Sequence, residues 1–378
     1  MQSTAEILRT LVEIPSASSV SNEPLLDAIA EILEPRGWYT QRLSYIAADG
    51  LEKANMLAVP HRFRELLPEV DLLFVCHTDT VPFRSEWAEA TQLVEIDGQL
   101  HGCGSCDVKG SLAGLLSAAL QVDAEELHMP VAFAFTAEEE IGCIGATRLV
   151  ASGAIHPRRV IVCEPTSLRP ATAGKGYGLA EVRVMGREAH SAFPGKGISA
   201  IGLAAQIIVK LEHRQQTSEG VCDNLFSPPY TTFNVGVIGG GTAKNIVAGE
   251  CDFLVEWRPV PGEDPRHGGQ VIQQLAAEVA NAHPQCRIEV RVLRADAGFA
   301  NHSASQLGSA LSQMLGRPET GISFGSEATR FAALAEEAVV IGPGDMETAH
   351  SERECVPLGE LEEWTETVKS LLLHGLPE

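Results

Sequence analysis

Basic residues are scarce in this chain of 378 residues: 28 lysines and arginines stand against 50 aspartates and glutamates, a formal net charge of −22. A surface this acidic repels a phosphate backbone, which argues against a nucleic-acid partner. Long apolar runs are missing too. No stretch approaches the roughly 20 apolar residues needed to span a bilayer, so no membrane segment is expected. The N-terminus, Met1-Gln2-Ser3-Thr4-Ala5-Glu6, lacks the basic region and apolar run of a signal peptide. The nine cysteines are odd in number and scattered, and Cys76, Cys163 and Cys251 sit in apolar runs. That distribution speaks for buried thiols in a reducing, cytoplasmic compartment and against a disulfide framework. Cys103-Gly-Ser-Cys106 has no second Cys-x-x-Cys to complete a zinc knuckle. Gly239-Gly-Gly-Thr242 has no Gly-Lys-Ser/Thr and falls between two strand-like runs, which argues against a phosphate loop and for a flexible turn.

What is present is an alternation of short apolar runs and helical patterns. Strands are expected at 54–59, 71–76, 131–136 and 159–163, and helices at 3–13, 22–35, 109–121 and 143–152. Continuous apolarity in runs this short predicts strands buried on both faces, as in an α/β sheet. From about 176 to 292 the order changes: strand 179–186, helix 198–213, strands 231–238 and 250–258, helix 264–282, strand 286–293. This β-α-β-β-α-β order is the ferredoxin-like split unit. Alternation then resumes with helix 303–315, strand 320–324, helix 327–335, strand 338–341 and helix 358–374. The expected organisation is an α/β domain, 1–175 plus 293–378, interrupted by an inserted domain at 176–292.

In an open α/β sheet, ligands bind beyond the carboxyl ends of the strands. Here those ends carry metal-ligand residue types: His77-Thr78-Asp79 after 71–76, Glu138-Glu139-Glu140 after 131–136, Glu164 after 159–163, and His350 in the loop after 338–341. Asp107 lies in a turn-rich stretch just before helix 109–121. His77 and Asp79 are two apart, so in extended backbone the Asp79 carboxylate is expected to hold the imidazole N–H and fix the ligating tautomer. Glu139 and Glu140 diverge, so one can ligate while its neighbour serves as a base. A carboxylate such as Asp107 can bridge two cations roughly 3.5–4 Å apart. Two histidines and three carboxylates suit Zn²⁺ best, with Co²⁺ or Mn²⁺ also accommodated.

Several segments resemble the M20 metallopeptidase family: His77-Thr-Asp79-Thr-Val-Pro82, Asp107-Val-Lys-Gly110, Glu139-Glu140-Ile-Gly142, Cys163-Glu164-Pro-Thr166 and His190-Ser-Ala-Phe-Pro194. So do Asn245 in Lys244-Asn-Ile-Val247, Arg258-Pro-Val-Pro-Gly262 and Gly342-Pro-Gly-Asp345 with Ala349-His350. Within the family the chain is most similar to the acetylornithine deacetylase and succinyl-diaminopimelate desuccinylase group. The resemblance implies a zinc-exopeptidase-like three-layer catalytic domain with an inserted lid, and hydrolysis of an N-acyl amino acid, N-acetylornithine first. A desuccinylase, a broad aminoacylase or a dipeptidase is the alternative within the family, and a metal-free binding protein the alternative outside it.

The resemblance also implies roles. His77, Asp107 and Glu164 would hold one metal, and Asp107, Glu140 and His350 the other. Glu139 would be the general base. His190, on the lid, would donate to the developing oxyanion, from its own chain or across a homodimer interface. Asn245 and Arg258 would hold the substrate, with Lys175 at the hinge as a further cation. Glu327, in Gly325-Ser-Glu-Ala-Thr329, is expected to meet a substrate ammonium. The peptide after Asp107 is expected to be cis. Two departures stand out: Asn245 is followed by Ile246-Val247 where many members carry Ile-Pro, and Glu138 stands in place of an Asp, expected to cap or face solvent.

Overall fold

The computed structural model describes residues 2–216, 222–301 and 304–376. The chain divides into two compact units, one of Met1–Thr172, Ala300–Thr320 and Ser326–Glu378, the other of Ala173–Phe299 and Gly321–Gly325. The return of five residues, 321–325, to the second unit is a feature that the strand pattern does not signal.

The first unit is built on a mixed sheet whose strands run in the order Trp38–Ile46, Glu52–Pro60, Val131–Thr136, Glu69–His77, His156–Val162, Glu337–Val340. The last four are mutually parallel, with His77 opposite Thr136 and Val75 opposite Val162. Every residue of Val131–Thr136 is buried, as continuous apolarity predicts for a strand covered on both faces. The first two strands are antiparallel. Strand Trp38–Ile46 escaped the sequence reading because its outer residues are polar and largely accessible, as befits an edge.

Helix Lys109–Gln121 is buried on all sides from Lys109 to Ala119, with no polar face to mark its amphipathicity. Gly114 is required where the indole of Trp364 crosses the helix, since a Cβ there would lie 2.3 Å from Trp364 Cδ1. Helix Thr4–Glu13 starts in a capping box: the Glu6 amide donates to Ser3 Oγ and the Ser3 amide to Glu6 Oε2. Helix 327–335 is shorter than expected, reduced to Ala328–Phe331. The helix expected over 303–315 runs as Gln306–Leu315, and residue 303 lies outside the described residues. A small sheet, Cys355–Pro357, Gln99–His101 and Val94–Ile96, pairs Cys355 with His101 just before the Asp107 turn.

The second unit is a four-stranded antiparallel sheet ordered Thr232–Gly240, Glu250–Arg258, Tyr177–Met185, Arg287–Asp296. Helices Ala200–Gln216 and His267–Ala282 pack on its apolar face, with Val182, Phe253, Val255, Ile207 and Ile272 in the shared core. Alternating burial along Glu250–Arg258 shows the period of two of a sheet with one wet face. Trp257 occupies space that only a glycine leaves: a Cβ at Gly178 would fall 1.8 Å from its ring. Among the described residues no helix is long and apolar enough to cross a membrane.

Candidate metal centre and active site

Loops at the carboxyl edge of the parallel strands converge. His77 ends its strand, Glu139 and Glu140 follow Val131–Thr136, Glu164 follows His156–Val162, and His350 follows Glu337–Val340 in left-handed backbone at φ 59°. Asp107 arrives from the turn before helix Lys109–Gln121, and its peptide bond to Val108 is cis.

Asp107 is shared between two donor sets. Its Oδ1 lies 3.0 Å from His77 Nε2 and its Oδ2 lies 3.2 Å from His350 Nε2. The oxygens of Glu140 face the same His350 nitrogen at 3.1 and 3.2 Å. His77, Asp107 and Glu164 form one set and Asp107, Glu140 and His350 the other, each with donor atoms within 4.8 Å of one another. The electrostatics of the cage follow from its donors. Burial would lower the His77 pKa, but Asp107 outweighs it and holds the ring well above its usual value. Hydrogen bonds to Asp107 and Glu140 push His350 up to about 10. Burial and the charge of Asp107 push Glu164 far above the carboxylate range. The cage draws protons because it is short of positive charge, and its mixed imidazole–carboxylate donors suit a divalent ion. The residues fit the group.

Backbone contacts orient the donors. His77 Nδ1 lies 2.9 Å from the Asp79 carbonyl oxygen, which can only accept, so Nδ1 carries the proton and Nε2 is left toward Asp107. This corrects the expectation for the Asp79 side chain, whose carboxylate stands 3.8 Å from Nδ1. It accepts instead from Ser18 Oγ at 2.6 Å and from the amides of Glu139 and Glu140 at 3.0 and 3.3 Å. Two aligned N–H groups satisfy a buried carboxylate better than a single imidazole. Asp79 therefore holds the loop that carries Glu139 and Glu140. Glu139 is half-buried, accepts from Cys143 Sγ at 3.3 Å, and is pushed up to about 8 by burial, against the opposing pull of His77.

Three further expectations need correction. Glu138 neither caps a helix nor faces solvent: it is buried, at φ 59°, and accepts from the Tyr45 hydroxyl at 2.8 Å. Glu327 is fully buried, with Oε2 accepting from Thr136 Oγ1 at 2.9 Å and Oε1 without a hydrogen-bond partner among the described residues. A carboxylate with no exposed surface is not poised for a substrate ammonium, and burial raises Glu327 to about 7. Lys175 is buried and its Nζ donates to the carbonyls of Pro228 and Tyr230, each at 2.8 Å. A buried ammonium needs such acceptors, so Lys175 straps its own unit and is not a free cation.

In the second unit, His190 is exposed and forms a bridge with Ile246, while the Ser191 amide donates to the Asn245 carbonyl at 2.9 Å. His190 and the Asn245 loop are thus neighbours. The Ala192 amide donates to His190 Nδ1 at 3.1 Å, which leaves Nε2 as the protonated, outward nitrogen. Arg258 stacks over Tyr177, and its Nε donates to Glu256 at 3.0 Å.

The sequence reading missed Glu354. Its Oε1 accepts from the amides of Cys106 and Asp107 at 3.1 and 3.0 Å, fixing the backbone of the residue shared by the two donor sets. It missed Ser18 as well. Neither has a local signal, because their partners lie 247 and 61 residues away in the chain.

With this geometry in hand, the comparisons with known proteins are direct. The model of peptidase family M20/M25/M40 matches residues 73–374. The chain belongs to the M20 peptidase family. As an M20 protein it is a metal-dependent amidohydrolase. An acetylornithine deacetylase of Myxococcus xanthus is 40% identical over 371 residues, covering 96% of this chain and 95% of that protein. One from Proteus mirabilis is 31% identical over 97% of this chain and 95% of its own length. A tripeptidase from Staphylococcus aureus has the same fold at a TM-score of 0.79 and 21% identity, covering 98% of this chain and 97% of its own.

Proposed function

We propose that this M20 protein is a dinuclear hydrolase that removes the acetyl group from N-acetylornithine in the cytoplasm. The observation that carries the two-ion reading is the Asp107 carboxylate, with one oxygen against His77 and the other against His350. The substrate reading is supported by the 40% and 31% identical relatives, both named acetylornithine deacetylase. His77, Asp107 and Glu164 would hold one ion and Asp107, Glu140 and His350 the second, zinc before cobalt or manganese on donor chemistry. Bound there, the ions would polarise the scissile carbonyl and acidify the attacking water.

The remaining work falls to side chains. Glu139 takes the proton of the attacking water on its carboxylate and passes it to the amide nitrogen as the C–N bond breaks. Asp79 keeps Glu139 in place through the two loop amides. His190 offers its Nε2–H to the developing oxyanion, from the inserted unit of the same chain or of a second copy. Arg258 and Asn245 bind the substrate, with the guanidinium matched to a carboxylate. The inserted unit serves as lid and as homodimer surface, a role that fits the exposed Val237 and Ile238 on edge strand Thr232–Gly240.

Metal analysis of the purified chain together with acetate release from N-acetylornithine tests this. Two ions per chain and a kcat/KM for N-acetylornithine above those for N-succinyl-diaminopimelate and dipeptides are expected. A preference for the succinyl substrate would replace the deacetylase with a desuccinylase. One ion per chain at saturating zinc would overturn the bridged pair.

A further inference from the structure

Next to the metal centre the first unit holds a second recess, a cavity of about 460 Å³, and His350 forms part of its wall. Phe83 and Trp87 line it with their rings edge to face, centroids 6.4 Å apart. Besides His350, its charged side chains are Arg84, Arg353 and Glu352. Arginines in this acidic chain are commonly engaged: Arg42, Arg158, Arg183, Arg258, Arg266 and Arg317 each hold a carboxylate. Among the described residues Arg84 and Arg353 hold none, although Glu352 lines the same recess. Leaving His350 to the donor set, the two guanidiniums outnumber the one carboxylate of this lining, in a chain whose net charge is −22.

The location gives that charge its meaning. His350 is both part of this wall and a member of the neighbouring donor set with Asp107 and Glu140, so a group held in the recess lies beside the proposed reaction centre. Arginine forks from two separate chain segments suit a carboxylate, and an aromatic wall beside them suits a short carbon chain. The size is that of an ordinary small-molecule site.

We propose that this cavity is a carboxylate subsite for the substrate, an inference that rests on the amidohydrolase reading above. Arg84 and Arg353 hold the anionic group, and Phe83 and Trp87 pack the methylenes that lead to it. The carboxylate has two chemical sources, the far carboxylate of a dicarboxylic acyl group, or the α-carboxylate of the amino acid, in which case Arg84 and Arg353 take the place given to Arg258 above.

Arg84→Gln, Arg353→Gln and the double variant separate these sources. Both residues are exposed, so the variants are expected to fold, with circular dichroism and metal content as controls. Three substrates are compared with the metal-loaded parent chain: N-acetylornithine, its α-amide, and N-succinylornithine α-amide. In the double variant kcat/KM is expected to fall about tenfold or more on a carboxylate-bearing substrate, with less than about a threefold change on N-acetylornithine α-amide. A loss confined to N-acetylornithine assigns the subsite to the α-carboxylate, and one confined to the succinyl compound assigns it to the acyl group. Equal losses on all three, or none, overturn the proposal. Should the parent hydrolyse none of the three, the deacylase reading fails separately, and calorimetric titration with ornithine and with succinate decides the subsite. Binding of either that weakens about tenfold or more in the double variant supports it, and unchanged Kd values for both overturn it.

Discussion

Replacing Asp79 by Asn probes how the loop that carries Glu139, the proposed base, is held. The side chain is buried and accepts three hydrogen bonds, from Ser18 Oγ and from the amides of Glu139 and Glu140. Asparagine has the same shape but one acceptor oxygen, so its NH₂ must face a donor whichever way the amide turns. If the oxygen faces Glu139, the Glu140 amide is orphaned; turned over, the Glu139 amide loses its acceptor. One lost hydrogen bond to a charged group is worth about 1.5–3 kcal/mol. Carried into the transition state, this corresponds to a fall in kcat of roughly 10- to 150-fold. His77 is oriented by a backbone carbonyl and not by this carboxylate, so the ion at His77, Asp107 and Glu164 is expected to stay. Steady-state kinetics on zinc-loaded Asp79→Asn, with metal counted on the same sample, measures both quantities. An unchanged kcat accompanied by weaker zinc binding would refute the loop-holding role and return Asp79 to the imidazole.

Glu139→Ala is expected to lower kcat about 10²–10⁴-fold while metal content stays near that of the parent, since a base contributes to rate and not to ligation; equal metal loss would exchange its role with Glu140. Glu327→Gln keeps an acceptor for Thr136 and removes a buried, half-satisfied carboxylate, so thermal stability is expected to hold or rise, and N-acetylornithine and N-acetylmethionine turnover to change alike; a selective fall on N-acetylornithine would restore Glu327 as an ammonium partner. Metal removal is expected to make stability depend on pH. Folded-state values above the ordinary 4.5, about 8 for Glu139 and about 7 for Glu354, mean stability that is complete below pH 4.5 and lost as pH rises to about 8. His350, raised to about 10, acts in the same direction over a higher range. Melting curves at pH 5 and pH 8 with a chelator and with zinc test this: the metal-free chain should melt lower at pH 8, and a melting temperature that rises with pH would count against it.

The parallel strands and the residues at their ends were legible because burial on both faces leaves continuous apolar runs, and most of the candidate donors come in the loops just after them. Val131–Thr136 with Glu139 and Glu140 is the clearest case. Strand Trp38–Ile46 was not legible, because a half-wet edge writes no such run. Single residues were misread where their partners are distant in sequence. Lys175 looks like a hinge cation until the Pro228 and Tyr230 carbonyls fold around it, and Glu327 looks like a pocket acid until Thr136 covers it. Glu354 and Ser18 do their work through backbone amides, and no spacing rule announces that.

The order in which the chain is synthesised gives the split first unit a consequence of its own. His77, Asp107, Glu140 and Glu164 all leave the ribosome before the inserted segment 173–299, while His350 and strand Glu337–Val340 emerge only after it. Domains tend to fold as units during synthesis, and contacts that span long stretches of chain form late. A nascent fragment can therefore hold the complete His77–Asp107–Glu164 set while the Asp107–Glu140–His350 set still lacks its histidine. The second donor set is completed only in the last tenth of translation, and a polypeptide that lacks 350–378, its last 29 residues, is the shortest C-terminal truncation that loses this set outright.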